Sequence, residues 1–347
     1  MNFDALIVVS FGGPEGPDEV MPFLENVVRG RNVPPARLEK VAEQYNRFGG
    51  VSPINEHNRR LVAALRNTLA ARGRLLPVYW GNRNWYPFLH ETVEEMRDDA
   101  IERAAAFVTS AYSSYSSCRQ YIEDIEAARD RVGLNSPEII KLRPFFDHPG
   151  FVEPLADGLR EALKESPDAT VLMTAHSIPR TMADACDYER QLSDVGSRVA
   201  QSAGSSSWEV VYQSRSGPPG QPWLEPDIND AIAGLAGGAR TVIVVPIGFV
   251  SDHMEVVYDL DVVAAQTAKD HSIDLIRTPT PGDDPRFVEM VLDLLAEAEA
   301  APEAAAETGP ETEARPGTDG RTESGTSESA AYSCRGGCCQ PGSTDAK

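Results

Sequence analysis

Residues 241–261 read TVIVVPIGFVSDHMEVVYDLD, an apolar segment that turns abruptly into a charged one. The first half is short, β-branched and uninterrupted, which is typical of a strand buried on both faces of a parallel sheet. Charge enters at Asp252, His253 and Glu255, just after that strand ends. Open α/β sheets bind their ligands at the carboxyl ends of the strands. The segment therefore predicts an α/β fold with a functional site near Glu255.

A second segment, ATVLMTAHSIP at 169–179, has the same order, because an apolar strand delivers His176 at its carboxyl end. An imidazole and a carboxylate that face one cleft can bind a borderline divalent metal and accept protons near neutral pH. Each residue also has a structural interpretation. His176 could close a strand end by bonding a backbone carbonyl, and Glu255 could complement a helix dipole. We interpret the two as a pair at the centre of the site.

Apolar runs alternate with helical periodicities along most of the chain. Strands are predicted at about 4–10, 76–81, 104–109, 138–142, 170–175, 209–213, 241–247 and 272–276. Such βα alternation predicts mainly parallel sheets flanked by helices. Since a set of four strands alternating with helices occurs twice, we expect two similar α/β lobes, residues 1–145 and 146–300, that face each other across a cleft. Residues 301–347 are acidic and poor in large apolar side chains, so they predict a flexible linker that ends in a cysteine-rich tail.

Composition disfavours several classes of protein. The 347 residues include 53 acidic and 32 basic side chains, a formal net charge of −21, whereas nucleic-acid binders need a basic surface. No run reaches the roughly 18 apolar residues of a membrane span. The start, MNFDALIVVSFGGP, lacks the basic and apolar regions of a signal peptide, so we expect a cytoplasmic protein. Its glycine turn also departs from the dinucleotide fingerprint, which disfavours a nicotinamide cofactor.

Three further residues near these motifs have interpretations from local pattern. Asp259 follows Glu255 by four residues, so both carboxylates would share one helix face and form an acidic ladder into the cleft. His253 lies two residues from Glu255 and is interpreted as structural. Ser52 precedes Pro53 and has the form of a helix N-cap with proline at the first helical position.

Several long motifs resemble those of ferrochelatases and together span residues 1 to about 298. They are FGGPEGP at 11–17, GGVSPIN at 49–55, GNRNWYP at 81–87, TAHSIP at 174–179, YQSRSGPPGQPWLEPD at 212–227 and PIGFVSDHMEVVYDLD at 246–261. SAYSSYSSCRQY at 110–121 and the cysteine-rich end further resemble the actinobacterial branch, whose members act on coproporphyrin III. The resemblance implies a chelatase-like fold and insertion of ferrous iron into coproporphyrin III to give coproheme in heme biosynthesis. It also implies a downstream enzyme that accepts coproheme.

The resemblance implies roles for individual residues. His176 would contact the iron and accept a pyrrole proton, with Glu255 as the opposing ligand or base. Ser52 and Tyr121 match positions that contact the porphyrin. Phe11 is a departure, because some relatives have a tyrosine there that can reach the metal, and phenylalanine cannot ligate.

The four propionates of coproporphyrin need hydrogen-bond donors despite the acidic surface. Arg29 and Arg31, with Tyr45 and Ser52, are the candidates, since guanidinium groups match carboxylates in geometry. For each arginine, a solvated helix end is the alternative interpretation.

The five cysteines are too few for a disulfide scaffold in this chain, and their crowding near the end favours metal or cluster ligation. The resemblance implies a 2Fe-2S cluster held by Cys334, Cys338 and Cys339 together with one internal cysteine. We prefer Cys118 as the fourth ligand, and Cys186 remains open. A zinc site is the rival interpretation.

Two alternatives to the coproporphyrin function remain open at this stage. One is a ferrochelatase that acts on protoporphyrin IX, since an aromatic cleft cannot choose between two and four propionates. The other is a two-lobed protein that binds porphyrin or metal without chemistry.

Overall fold

The computed structural model describes residues 2–217, 220–282, 284–301 and residue 339. Within them the strands form two four-stranded sheets. The first sheet contains β1 Ala5–Ser10, β2 Val78–Asn82, β3 Arg103–Val108 and β4 Glu138–Lys141, and the second contains β5 Thr170–His176, β6 Glu209–Gln213, β7 Thr241–Val245 and β8 Asp274–Arg277. Each predicted strand overlaps one of these.

Both sheets are parallel and share one topology. The strand orders are β2-β1-β3-β4 and β6-β5-β7-β8, so the first strand of each half lies inside its sheet. The crossovers between parallel strands need helices, which explains why strand and helix alternate along the sequence. The predicted fold class, two four-stranded parallel sheets flanked by helices, is confirmed.

Most helices of the described residues lie in the segments between the strands. They are α1 Pro17–Val27, α2 Pro35–Asn46, α3 Ile54–Ala71, α4 Leu89–Asp98, α5 Gln120–Val132, α6 Pro149–Glu165, α7 Arg180–Ala183, α8 Tyr188–Ala203, α9 Ile228–Gly234, α10 Met254–Tyr258, α11 Ala265–Asp270 and α12 Pro285–Ala300. Two π-helical segments, Tyr115–Arg119 and Asp259–Ala264, precede α5 and α11. The helical pattern of the sequence at about 255–268 predicts a helix there, and the chain is helical from Met254 to Asp270 with the π-helical segment inside it.

The prediction that Ser52 is the N-cap of the helix after Pro53 is wrong. Helix α3 begins at Ile54, and Pro53 occupies the N-cap position without a side-chain cap. The Ser52 side chain is instead buried, and its main-chain N–H donates to the carbonyl of Pro14 at 2.8 Å. Ser52 therefore fastens the glycine turn after β1 to the start of α3.

One apolar core joins the two sheets. Phe107 of β3 stacks on Phe145 at 5.1 Å between ring centroids, and Phe287 of α12 meets both rings at 5.9 Å. The last helix also forms an ion pair with the first half of the chain, through Arg143 and Glu297 at 2.6 Å. Because the core is continuous across residue 145, the division into lobes at that residue stays a prediction.

None of the helices in the described part of the chain is long and apolar enough to cross a membrane. The expected cytoplasmic location stays a prediction.

Candidate active site

The fold brings His176 and Glu255 together. His176 is the last residue of β5 and Glu255 lies in α10, and the imidazole Nε2 is 3.6 Å from the carboxylate Oε2. The chain after β7 reaches this position by passing closely over β5, where the N–H of Gly248 donates to the carbonyl of Thr174 at 2.9 Å. A Cβ at Gly248 would lie 2.6 Å from the Cα of Ala175, so only glycine fits.

The hydrogen bonds of His176 fix its tautomer. Its Nδ1 donates to the carbonyl of Ser177, which leaves the Nε2 lone pair of the neutral ring directed at the cleft and Glu255. The hydroxyl of Tyr188 donates to the main-chain oxygen of His176 at 3.1 Å. The imidazole is therefore held with its accepting nitrogen toward the space that a ligand would occupy.

His176 and Glu255 set each other's protonation. Burial has the largest influence on the pKa of His176 and lowers it, but the contact with Glu255, the Ser177 carbonyl and the charge of Asp259 together shift the pKa upward. Burial also has the largest influence on the pKa of Glu255 and raises it, whereas the contact with His176 and the charge of His253 together lower it to about 2. The Glu255 side chain is 53% exposed, so it keeps contact with solvent, which agrees with its charged form. At 3.6 Å the contact is an ion pair rather than a direct hydrogen bond.

Asp259 extends the charge along the same helix, at the first residue of the π-helical segment. Burial raises its pKa, the hydrogen bond from Ser214 opposes this, and Glu255 raises it further, giving about 6. Ser214 holds this bond from a left-handed backbone with φ 61°, which is costly for a residue other than glycine. The proximity of the two carboxylates agrees with the predicted acidic ladder, and π-helical segments are frequent at functional sites.

His253 has a structural contact, as predicted, although it precedes the helix instead of lying within it. Its Nδ1 accepts the main-chain N–H of Glu255 at 3.2 Å and so caps α10. Burial lowers the pKa of His253, which favours the neutral ring that can accept this bond.

An aromatic cluster from the first half of the chain, here called the aromatic wall, has Phe23 and Trp85 buried inside it and Phe11 and Tyr45 at its more exposed edge. Phe23 of α1 is 5.9 Å from the ring of Tyr45 and 6.2 Å from the rings of Phe11 and Trp85. Burial and then the charge of Glu255 raise the pKa of the Tyr45 phenol, so the phenol is near enough to that carboxylate to sense its charge. Flat aromatic surfaces opposite a base suit a planar, apolar ligand.

The other predicted porphyrin-contacting residues lie in different surroundings. Ser52 and Tyr121 are buried, with 4% and 5% of their surface exposed. Tyr121 packs under the guanidinium of Arg83, whose Cζ is 4.5 Å from the ring centroid. Arg29 and Arg31 are exposed beyond α1, and Arg29 donates to Asn26. Their contact with a ligand stays a prediction.

Sequence reasoning missed two arginines at this cleft. Arg83 is ion-paired with Asp124, and its Cζ lies 5.8 Å from the Phe11 ring. Arg47 follows α2, and its Cζ is 5.9 Å from the ring centroid of Tyr258 in α10. Arg83 could have been found, because it directly follows a strand at the carboxyl edge of its sheet.

The predicted cluster ligands are only partly described. Cys118 and Cys339 are each 1% exposed, and Cys186 is half-buried, with its Sγ donating to the carbonyl of Met182 at 3.2 Å. Cys334 and Cys338 lie outside the described residues. Within the described ranges, no group of three or more His, Cys, Asp or Glu side chains is arranged to hold a metal ion. The cluster therefore stays a prediction.

Comparison with known proteins gives consistent results. A family model described as ferrochelatase matches residues 3–299. A ferrochelatase of Rhodopirellula baltica is 53% identical over 301 residues, covering 85% of this chain and 86% of the relative. A coproporphyrin III ferrochelatase of Mycolicibacterium smegmatis is 52% identical over 306 residues, covering 86% and 90%. The solved structure of SirB from Bacillus subtilis with Fe3+ has a TM-score of 0.54 at 12% identity, covering 85% of this chain and 95% of that one, which supports the fold.

Proposed function

This chain belongs to the ferrochelatase family, and on that premise we propose that it inserts ferrous iron into coproporphyrin III to form coproheme in heme biosynthesis. Curated relatives named coproporphyrin III ferrochelatase, at 51 to 54% identity, support the substrate. The observation that carries the chemistry is the His176 and Glu255 pair at 3.6 Å.

Iron insertion requires two events at the macrocycle. The ring must bend so that the pyrrole nitrogens present lone pairs, and two N–H protons must leave as the iron enters. The aromatic wall can grip one face of the ring while the other face meets the pair, which favours a distorted ring over a flat one. His176 and Glu255 then supply nitrogen and oxygen ligands to the incoming iron.

The protons have acceptors in the same cleft. When His176 is protonated it forms an ion pair with Glu255, whose charge raises the His176 pKa, and loss of that proton frees Nε2 to contact iron or accept a pyrrole proton. Asp259, whose pKa is about 6, is a suitable second acceptor further along the helix. Phe11 cannot ligate iron on the opposite face, so the product needs another fifth ligand or none.

The substituents of the ring need cationic or hydroxyl partners. We propose Arg29, Arg31, Tyr45 and Ser52 for propionates, with Tyr121 beneath the ring edge. The exposure of both arginines leaves them available to a carboxylate, whereas Ser52 and Tyr121 are buried and would act through local rearrangement.

The first test is anaerobic ferrous insertion into coproporphyrin III and protoporphyrin IX in parallel. We expect kcat/KM for coproporphyrin to be higher by at least about tenfold, because one lost charge-assisted hydrogen bond of about 1.5 kcal/mol has that effect. A preference for protoporphyrin would overturn the substrate but not the family. Bound porphyrin without insertion of iron into either ring would favour a carrier.

We also propose an accessory 2Fe-2S cluster on Cys334, Cys338, Cys339 and Cys118, with Cys186 as the alternative fourth ligand. The burial of Cys118 and Cys339 fits thiolates that a cluster would shield from water. Ser116, two residues from Cys118, donates to the sulfur of Met182 at 3.9 Å, so the segments of both internal candidates adjoin. When bound, the cluster supplies a one-electron redox centre, and none of the insertion steps above depends on it.

Paired variants test the cluster. We expect Cys118→Ser to remove the visible iron-sulfide absorption of anaerobically purified protein and Cys186→Ser to retain it, because only thiolates complete the ligand set. Truncation after residue 301 should also remove the absorption. The reverse pattern would assign Cys186, and colourless wild-type protein with bound zinc would contradict the proposal.

A further inference from the structure

Gln213, the last residue of β6, touches both halves of the His176 and Glu255 pair. It is the register partner of His176 between the parallel strands β6 and β5. Its main-chain oxygen accepts the N–H of Ser177 at 2.8 Å, directly after His176. Its side-chain Nε2 donates to the main-chain oxygen of Glu255 at 3.1 Å. One residue therefore links the strand that carries the imidazole, through its main chain, to the helix that carries the carboxylate, through its side chain.

The amide of Gln213 is held at an energetic cost. The residue is 1% exposed, and its Oε1 is buried without a hydrogen-bond partner among the described residues. A buried acceptor without a hydrogen bond lowers the free energy of unfolding by about 1–3 kcal/mol. Turning the amide over would not relieve it, because Oε1 would then face the carbonyl oxygen of Glu255, which also accepts. The orientation is thus set by Glu255.

The backbone of Glu255 does not need this bond. Its carbonyl oxygen already accepts the N–H of Asp259 within the helix. An apolar side chain of similar length at position 213 would remove the unpaired Oε1 and leave the Glu255 carbonyl with its hydrogen bond inside the helix. Stability alone therefore does not explain a buried amide at this position, and a role in the site does.

The helix that carries Glu255 is held by the buried side chains of Met254 and Val256, and the Gln213 bond adds a polar constraint on its rotation. Helix α10 has five residues, Met254–Tyr258, and continues into the π-helical segment instead of a regular helix. A second bond to the Glu255 carbonyl, from the adjacent strand, restricts rotation about the helix axis. The next residue, Ser214, likewise bonds Asp259, so the end of β6 restrains both carboxylates.

We propose that Gln213 is a positioning residue that sets the separation of His176 Nε2 and Glu255 Oε2 for metal insertion. The proposal rests on the proposed function of this pair. Rotation of α10 without the Gln213 bond would widen or close the gap that the metal enters. Displacement of a reacting group by about 1 Å can cost about 100-fold in rate.

Gln213→Met tests the proposal, with Gln191→Met as its matched control. Gln191 is also a buried glutamine, 3% exposed, but it bonds the N–H and hydroxyl of Ser113 at 2.7 and 2.8 Å. We expect Gln213→Met to lower kcat for ferrous insertion by about 10-fold to 100-fold. Its Tm and its Kd for coproporphyrin should stay close to wild type. Gln191→Met should lower Tm, because it orphans a buried N–H, and keep kcat close to wild type.

Binding of Co2+ in the absence of porphyrin gives a readout that does not depend on turnover. We expect visible cobalt absorption to titrate at least about 5-fold more weakly in Gln213→Met than in wild type, a difference of about 1 kcal/mol. If wild type fails to insert iron, the proposed function fails, and the cobalt comparison still decides this inference. Equal cobalt affinity in the two proteins would overturn it. So would a loss of activity matched by loss of Tm or of porphyrin affinity, since that indicates a merely structural role.

Discussion

His176→Ala is expected to lower kcat for ferrous insertion by about 10³-fold while porphyrin binding is retained. The imidazole Nε2 is the nitrogen that faces Glu255 at 3.6 Å, and its Nδ1 is held by Ser177, so the variant removes an oriented acceptor and metal ligand. The variant leaves the aromatic wall unchanged, which should keep Kd for coproporphyrin near its wild-type value. Stopped insertion with retained fluorescence quenching of the ring is the expected pair of results.

His90→Ala is the matched control for that variant. His90 is a half-exposed histidine of α4 that stacks on Phe88 at 5.6 Å, away from the His176 and Glu255 pair. It should insert iron at a rate close to wild type. Retained turnover in His176→Ala would contradict the assignment of His176, and equal loss in both variants would point to misfolding.

Glu255→Gln is expected to lower kcat by about 100-fold and to move the pH dependence of insertion. In wild type the Glu255 charge raises the pKa of His176, and activity falls as the pH drops through that pKa, because the imidazole becomes protonated. Without the charge, burial lowers the His176 pKa. The acidic limb of the rate profile should therefore move to lower pH even though the maximal rate is smaller.

Glu289→Gln provides the control. Glu289 lies on α12, is half-exposed and forms an ion pair with Arg72 after α3, away from the His176 and Glu255 pair. Its rate profile should overlay that of wild type. An acidic limb that stays at the wild-type pH in Glu255→Gln would show that the two side chains do not titrate together. The pH profile thus separates loss of a coupled charge from a general loss of activity.

The aromatic wall is only partly predictable from the local sequence pattern. Helical spacing in the sequence places Phe23 on one apolar face with Val20 and Leu24, and all three are buried in α1. That Tyr45 of α2 would meet Phe23 and face Glu255 could not be derived from spacing, since it depends on how two helices pack over a distant strand end. Tyr121 likewise belongs to a recognisable motif, but its burial under Arg83 is a result of packing.

The strands, their alternation with helices and the interpretation of His176 and Glu255 as a pair follow from the amino-acid pattern alone. The physical reason is that strand and helix have different hydrophobic periods, and parallel strands must end at a common edge. The 3.6 Å separation of the pair, the π-helical segment at Asp259 and the contact of Gln213 with Glu255 arise only when the chain is folded. These depend on strand register and on side chains far apart in the chain, whose contacts leave no periodic signal in the sequence.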